Sequence, residues 1–444
     1  GRALAAEQPV FAPPPAWVDV APVPEPPPAD GAAAVQVVLD DNQTRLTPQG
    51  DAYYNRRIYK VLRPEGLSAF RSQALTWSPD TETLTIHTLA ILRDGRSIDL
   101  LRGGQDMPVM RRETNLERAM LDGRLTVSRQ IEGLQTGDMV EVAFTRDHLD
   151  PVVQGRSQDF EKMAFPGVAA RYRAKILWPQ DAPVKWKVTE GYLPSSTRKE
   201  AGWNALVFDG KGVKAPKPPV GAPLRFRRQG ELEVSSFKDW AEVSRLMWPL
   251  YAKAQALSAN SAIKAEAAAI RAADPDPKAR AFAALRLVED KTRYLFLGMN
   301  DGGYVPAAAD VTWDRKFGDC KGKTVLLLAL LKELGVQAEP ALASIGLGDG
   351  MDERLPGLTA FNHVLVRATV AGKVYWLDGT RTGDAAGLDA LRPPPFTWAL
   401  PVRAQGATLE RINQPPLDRP ASETYVRLDA SKGLDAPAPT RLEM

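Results

Sequence analysis

Three side chains far apart in the chain, Cys320, His363 and Asp378, are of the types that together run nucleophilic acyl chemistry. A thiolate attacks an amide carbonyl, an imidazole manages the protons of that attack, and a carboxylate fixes the imidazole's tautomer. Asp319 is a natural N-cap, so Cys320 is predicted in the first turn of a helix, where the dipole and free N–H groups favour a thiolate. Lys321 and Lys323 add positive charge to that turn. Cations there oppose the helix dipole, which costs helix stability while lowering a thiol's pKa.

His363 lies in FNHVLVRATV, and Ala371-Gly372 then turns the chain into KVYWLDGT, which carries Asp378. In a two-residue hairpin, 370 faces 373, 365 faces 378 and 363 faces 380. His363 and Asp378 then share one face as diagonal neighbours, roughly 7–8 Å apart at Cα. Each residue also has a plainer reading. A lone Cys is usually a small buried hydrophobe, a lone His a satisfied core residue, and an Asp before Gly-Thr a turn former. The helix start, the hairpin and the order Cys, His, Asp together favour chemistry.

The elements that must hold these groups follow from periodicity. Val325–Leu331 is apolar on every side and Gly335 is a natural stop, so the Cys320 helix is expected to be central and buried. Before it, Phe237, Trp240, Val243, Met247 and Leu250 recur at helical spacing. A second helix is predicted over 261–273 and a third over 277–294; strands follow near 339–344, 362–370 and 373–377. From about Val35 to Val234 the period is two: Leu84, Ile86, Ala90 and Leu92, then Val140, Val142 and Phe144, then Tyr172, Ala174, Ile176 and Trp178. Asp94-Gly95 reads as a hairpin turn. The fold class read from this order is multidomain: an N-terminal antiparallel β-sandwich followed by an α+β domain. The expected divisions are 1–34, a leader remnant and proline-rich extended arm; 35–234, the sandwich; 235–405, the thiol domain; and 406–444, a trailing segment that looks like the start of a further β module.

The motifs GDCKGK (318–323), FNHVLV (361–366) and YWLDGT (375–380) resemble those of the bacterial transglutaminase-like superfamily. The preceding helices, Arg293-Tyr294, and LPG just ahead of FNH resemble it too, and the likeness spans nearly all of 35–405. More narrowly, the chain is similar to secreted members with an N-terminal β-rich domain of unknown function. The resemblance implies a papain-like fold with Cys320 as nucleophile, His363 as general base and acid, and Asp378 as its orienting partner. Gly322 stands where many relatives carry an acidic residue. The backbone N–H of Cys320 is the expected oxyanion donor, with Tyr294 and Trp313 as side-chain candidates. An amine acceptor would make the enzyme a transglutaminase, and water a peptidase or deamidase. The substrate class implied is a protein or cell-wall peptide amide.

Composition narrows the rest. Of 444 residues, 44% are apolar and the net charge is only +3, too little to suggest nucleic-acid binding. No apolar run approaches membrane-spanning length. One Cys and three His leave no cluster for a zinc site, and no cofactor is expected. Ala3-Leu4-Ala5 fits the small-x-small end of a secretory leader, which points to export. Ser196-x-x-Lys199 lacks its companion motifs, and Gly346, Gly348 and Gly350 read as a mobile flap beside the thiol. His87 and His148 are assigned cross-strand or turn roles. Two rivals remain: an idle transglutaminase-like fold serving as a protein- or glycan-binding module, and a carbohydrate-binding sandwich using Trp178, Trp186 and Trp203.

Overall fold

The computed structural model describes residues 7–26, 33–101, 107–111, 119–297, 303–346, 348–416, 420 and 422–443. The leader reading at residues 1–6 lies outside them. Among the described residues no helix is long and apolar enough to cross a membrane.

The N-terminal part is built on one large twisted sheet. Its order is β1 (Val10–Phe11), β5 (Glu82–Arg93), β10 (Met139–His148), β3 (Asp51–Val61), β2 (Val35–Arg45), β12 (Val168–Pro179), β15 (Trp203–Lys214) and β14 (Ser195–Glu200), with β6 (Arg96–Asp99) also on β5. It is not purely antiparallel: β1 runs parallel to β5, and β12 parallel to β2. Two three-stranded sheets cover one face. The first is β4 (Ser72–Trp77), β9 (Leu125–Gln130) and β7 (Val109–Arg111), preceded by a single helical turn, α1 (Pro64–Leu67). The second is β11 (Gln158–Lys162), β16 (Glu231–Ser235) and β13 (Lys185–Val188). Trp77, Leu125 and Val127 close one core against Val140, Val142 and Phe144. Leu232 and Val234 close another against Tyr172, Ala174, Ile176 and Trp178.

The alternation along β5 is broken where the pairing to β10 shifts register around His87. The extra residue is a β-bulge, so Leu89 and Ile91 join Leu84 and Ile86 in the core in place of the expected Ala90 and Leu92. His87 bonds to Thr145 Oγ1 on the neighbouring strand (2.7 Å) and to the carbonyl of Ala12 (2.8 Å). The second of these bonds belongs to the proline-rich arm, which is extended as predicted but not free. Across the opposite face of the sheet, Gln43 Nε2 donates to Asp19 O at 2.8 Å, Arg173 pairs with Asp19, and Ala21 is buried. Beneath the arm the sheet carries buried ion pairs, Arg56–Glu141 at 2.7 Å and Arg173–Asp41 at 3.4 Å.

After Ser235 the chain becomes helical. Asp239 caps α2 (Trp240–Ala254), Ser261 caps α3 (Ala262–Ala273), and Asp276 caps α4 (Pro277–Lys291), with Pro277 in the first turn. The third predicted helix stops three residues short of Tyr294. Thr292 turns its hydroxyl back to the Val288 carbonyl (2.5 Å) and leaves helical φ/ψ. β17 (Arg293–Tyr294) then pairs with β19 (Phe317–Gly318), just beyond α5 (Ala309–Arg315). Next comes α6 (Cys320–Glu333), buried from Cys320 to Leu331 and packed among α3 to α5 and the second sheet. That sheet has the order β22 (Lys373–Leu377), β21 (His363–Val370), β20 (Gln337–Ala343), β23 (Trp398–Pro401) and β24 (Glu410–Arg411). The sheet therefore runs past the expected limit at 405, and Ala407 and Ile412 are buried in it. Further on, β25 (Tyr425–Leu428) and β26 (Thr440–Glu443) form an exposed hairpin.

Candidate active site

The nucleophile candidate is held by the start of α6. Asp319 Oδ1 accepts from Gly322 N at 2.9 Å, which fixes the first turn around Cys320. Gly335, at φ +74°, ends the helix, and Val336 N returns to Leu331 O at 2.8 Å. The two lysines do not act as the sequence suggested. Lys321 pairs with Asp319, so its charge is largely matched. Lys323 is buried, donates to Thr292 O at 2.6 Å, and is driven toward the neutral amine by that burial. It ties α6 to the end of α4 and so sets the course of β17, which carries Tyr294.

The hairpin has the predicted register: Val370 faces Lys373 and Val366 faces Leu377. Ala371 (φ +49°) and Gly372 (φ +80°) make the tight turn. Asp378 follows the last paired residue, where its Oδ2 meets His363 Nε2 at 2.9 Å. Its Oδ1 accepts from the Thr380 amide at 3.0 Å and hydroxyl at 2.7 Å, so the carboxylate is held at both oxygens. Burial of His363 disfavours its charge, but hydrogen bonds to Asp378 and Cys320, and the charges of both, outweigh it and push the imidazole up to about 10. Burial of Asp378 raises its pKa, and its bond to His363 more than reverses this, leaving it below the ordinary value. With Nε2 taken by Asp378, Nδ1 is the ring nitrogen left for Cys320.

Cys320 and His363 open into one cleft of about 520 Å³. Tyr294, Phe296 and Lys321 line its rim, and Met247, Tyr251, Leu342 and Leu358 are buried in its walls. Tyr294 is thus at the site, 38% exposed. Trp313 is not among the lining residues; it packs in the helical core with Lys316 Nζ 3.2 Å above its ring. Tyr251, buried on α2, had drawn no attention in the sequence because its position there is an ordinary core position.

The N-terminal part contacts two segments that contribute to the cleft wall. β8 (Met120–Leu121) pairs in parallel with β18 (Phe296–Leu297), and Phe296 N donates to Ala119 O at 2.8 Å. The loop between β20 and β21 is gripped by β16: Glu233 accepts from Arg354 Nε and from Leu355 N, each at 2.9 Å, and Ser235 Oγ donates to Pro356 O. Arg225 holds Asp349 at 2.8 Å and Glu353 at 3.1 Å. At Gly348 a Cβ would collide with the Phe396 carbonyl. Between Asp349 and Pro356 the loop that its composition suggests as a mobile flap is therefore tied to the N-terminal part at several points.

The remaining candidates lie elsewhere. Ser196 and Lys199 sit three apart on an exposed strand, so they face opposite sides. Trp178 pairs with Asn204 and Trp203 with Pro179, which turns these two indoles to opposite faces, so they do not share a strip. His148 stands edge-on to Tyr53 at 6.5 Å. Among the described residues no group of three or more His, Cys, Asp or Glu could hold a metal ion.

No curated protein matches the chain. Residues 48–217 match the profile of DUF3857, a domain of unknown function with a solved structure. Over 86% of its length the chain superposes on 72% of a crystal structure of a candidate protease from Parabacteroides distasonis, with a TM-score of 0.65 at 14% identity. The periplasmic domain of TgpA from Pseudomonas aeruginosa overlaps 53% of this chain and 78% of its own, at 15% identity and a TM-score of 0.21. A candidate cysteine protease from Cytophaga hutchinsonii overlaps 78% of this chain and 75% of its own, at 11% identity and a TM-score of 0.19. The correspondence of fold rests on the first of these: the chain shares with the Parabacteroides protein a sheet-rich fold that runs through both of its parts.

Proposed function

We propose that the chain is a transglutaminase-like thiol acyltransferase or peptidase, with Cys320 as nucleophile, His363 as general base and acid, and Asp378 as its orienting carboxylate. The observation that carries this reading is that His363, bonded to the buried Asp378, opens with Cys320 into a single cleft. The Cys320 sulfur attacks an amide carbonyl carbon, a C–S bond forms, and the π pair moves onto the oxygen. The intermediate collapses as the C–N bond breaks, and His363 gives its proton to the departing nitrogen. An acceptor, amine or water, then loses a proton to His363 and displaces the thiolate. Gly322 N–H is taken by Asp319, and the Cys320 N–H, which has no acceptor within the helix, is the backbone donor to the oxyanion.

We assign the substrate to protein or peptide amides, and residues 35–234 to a separate domain that braces two segments beside the cleft, β18 through β8 and the 349–359 loop through β11, β16 and Arg225. The test is incubation with a labelled amine and a periplasmic extract, beside Cys320→Ala. Label incorporated only by the unsubstituted chain establishes transfer, and new free carboxylates establish hydrolysis. Neither product, with iodoacetamide alkylation of Cys320 indifferent to His363→Ala, would leave an idle docking module.

A further inference from the structure

The helical stripe Val243, Met247, Tyr251 on α2 is core by its spacing, and the first of these is wholly buried. Tyr251 differs from the rest of the stripe. Its side chain is 1% exposed, it lines the cleft beside Cys320, and its hydroxyl has no hydrogen-bond partner among the described residues. That hydroxyl is not among the fully buried unpartnered atoms, so it is open to the space of the cleft. A donor with no protein partner at the wall of a cleft is suited to an acceptor that arrives with a ligand.

The charges that Tyr251 senses are those of Cys320 and Asp319, at the start of α6. Tyr294, by contrast, also senses Asp378, on the imidazole side, and is partly open to solvent. Tyr251 shares the cleft wall with Cys320, the first residue of α6, whose backbone N–H has no acceptor within the helix. Burial, first, and then these two acidic neighbours keep it a neutral phenol well beyond its ordinary range, and so a donor at any working pH.

Resting on the acyl-transfer reading above, we propose that the Tyr251 hydroxyl is a catalytic oxyanion donor, acting with the Cys320 N–H on the oxygen of the tetrahedral intermediate. When sulfur adds to the carbonyl carbon, the displaced π pair becomes a full charge on that oxygen. Tyr251 donates its O–H to it without transferring the proton, and releases it when the carbonyl re-forms and the leaving group departs.

The experiment uses the full chain and two probes. Acylation by 4-nitrophenyl acetate passes through an oxyanion and releases 4-nitrophenolate. Alkylation by iodoacetamide displaces iodide at a saturated carbon and builds no charge on an oxygen. Tyr251→Phe keeps the ring, removes an unpartnered oxygen, and is expected to melt at the same temperature. It should slow the 4-nitrophenolate burst by about 100-fold and leave the iodoacetamide rate within twofold. An unchanged burst overturns the proposal, and so does an equal slowing of both reactions, which would place Tyr251 on the thiolate. A burst that survives in Cys320→Ala overturns the thiol reading itself and the proposal with it, whereas a Cys320-dependent burst indifferent to Tyr251→Phe removes only the present inference.

Discussion

Replacing Asp378 with Asn keeps the size of the side chain and removes the charge that holds His363. The unsubstituted imidazole is raised from 6.5 to about 10, which at about 1.4 kcal/mol per tenfold in proton affinity corresponds to about 5 kcal/mol. Because the folded pKa is raised, this stabilisation is fully present below about pH 6.5. It falls to about 3 kcal/mol at pH 8 and vanishes as pH passes 10. Asp378 is depressed, so its own share is present above its ordinary 3.8 and is lost as pH falls through its folded value. Asp378→Asn is therefore expected to destabilise most between about pH 4 and 6.5, by up to 5 kcal/mol, and least near pH 10. Cys320 also holds the imidazole and keeps the loss below that ceiling. Urea unfolding at pH 5.5, 8 and 9.5 reads the stability profile. The 4-nitrophenyl acetate burst against pH reads the imidazole, whose titration break should fall by about two pH units or more in the variant, with the maximal rate down about 100- to 10,000-fold. A break within half a unit of its original position, or a stability loss that is flat across pH, would refute the claim that Asp378 sets the charge of His363.

Other substitutions separate support from chemistry. Lys323→Met should leave the Thr292 carbonyl unpaired and cost about 1–3 kcal/mol in urea unfolding, while iodoacetamide alkylation stays within twofold; a large fall in alkylation would restore Lys323 as a thiol-tuning charge. A Cβ at residue 322 would stand 2.9 Å from Thr312 Oγ1, so Gly322→Ala should lose about 1–2 kcal/mol, and Gly322→Ala/Thr312→Ala should recover most of it. Arg225 sits in half-exposed ion pairs, so Arg225→Ala should lower stability by no more than about 1–2 kcal/mol. It should nonetheless speed proteolytic cleavage between Ile345 and Pro356 severalfold, as followed by mass spectrometry.

Much of the site was legible in the sequence because it depends on short-range rules. An Asp before an apolar run starts a helix, and that placed Cys320. A two-residue turn at Ala371-Gly372 allows one register, and that brought His363 and Asp378 to one face. What escaped depends on contacts between distant segments. The bulge at His87 shifts the parity of β5 where its ring bonds at once to β10 and to the arm, and the pattern of β5 alone carries no trace of either. Lys321 and Lys323 look alike in the first turn of a helix; which partner each takes, Asp319 beside it or the Thr292 carbonyl at the end of another helix, is decided by packing.

The same holds for the surroundings of the cleft. A glycine-rich run reads as mobile until Arg225, more than a hundred residues earlier, is found holding it. Tyr251 occupies an ordinary core position by helical spacing, and only the tertiary packing puts it on the wall of the cleft that Cys320 and His363 share. Local periodicity and turn chemistry thus determined the elements and the Cys320, His363 and Asp378 constellation. Tertiary packing alone decided which charges are spent on structure and which polar groups stay free at the cleft, because burial and pairing belong to the whole fold and not to any one segment.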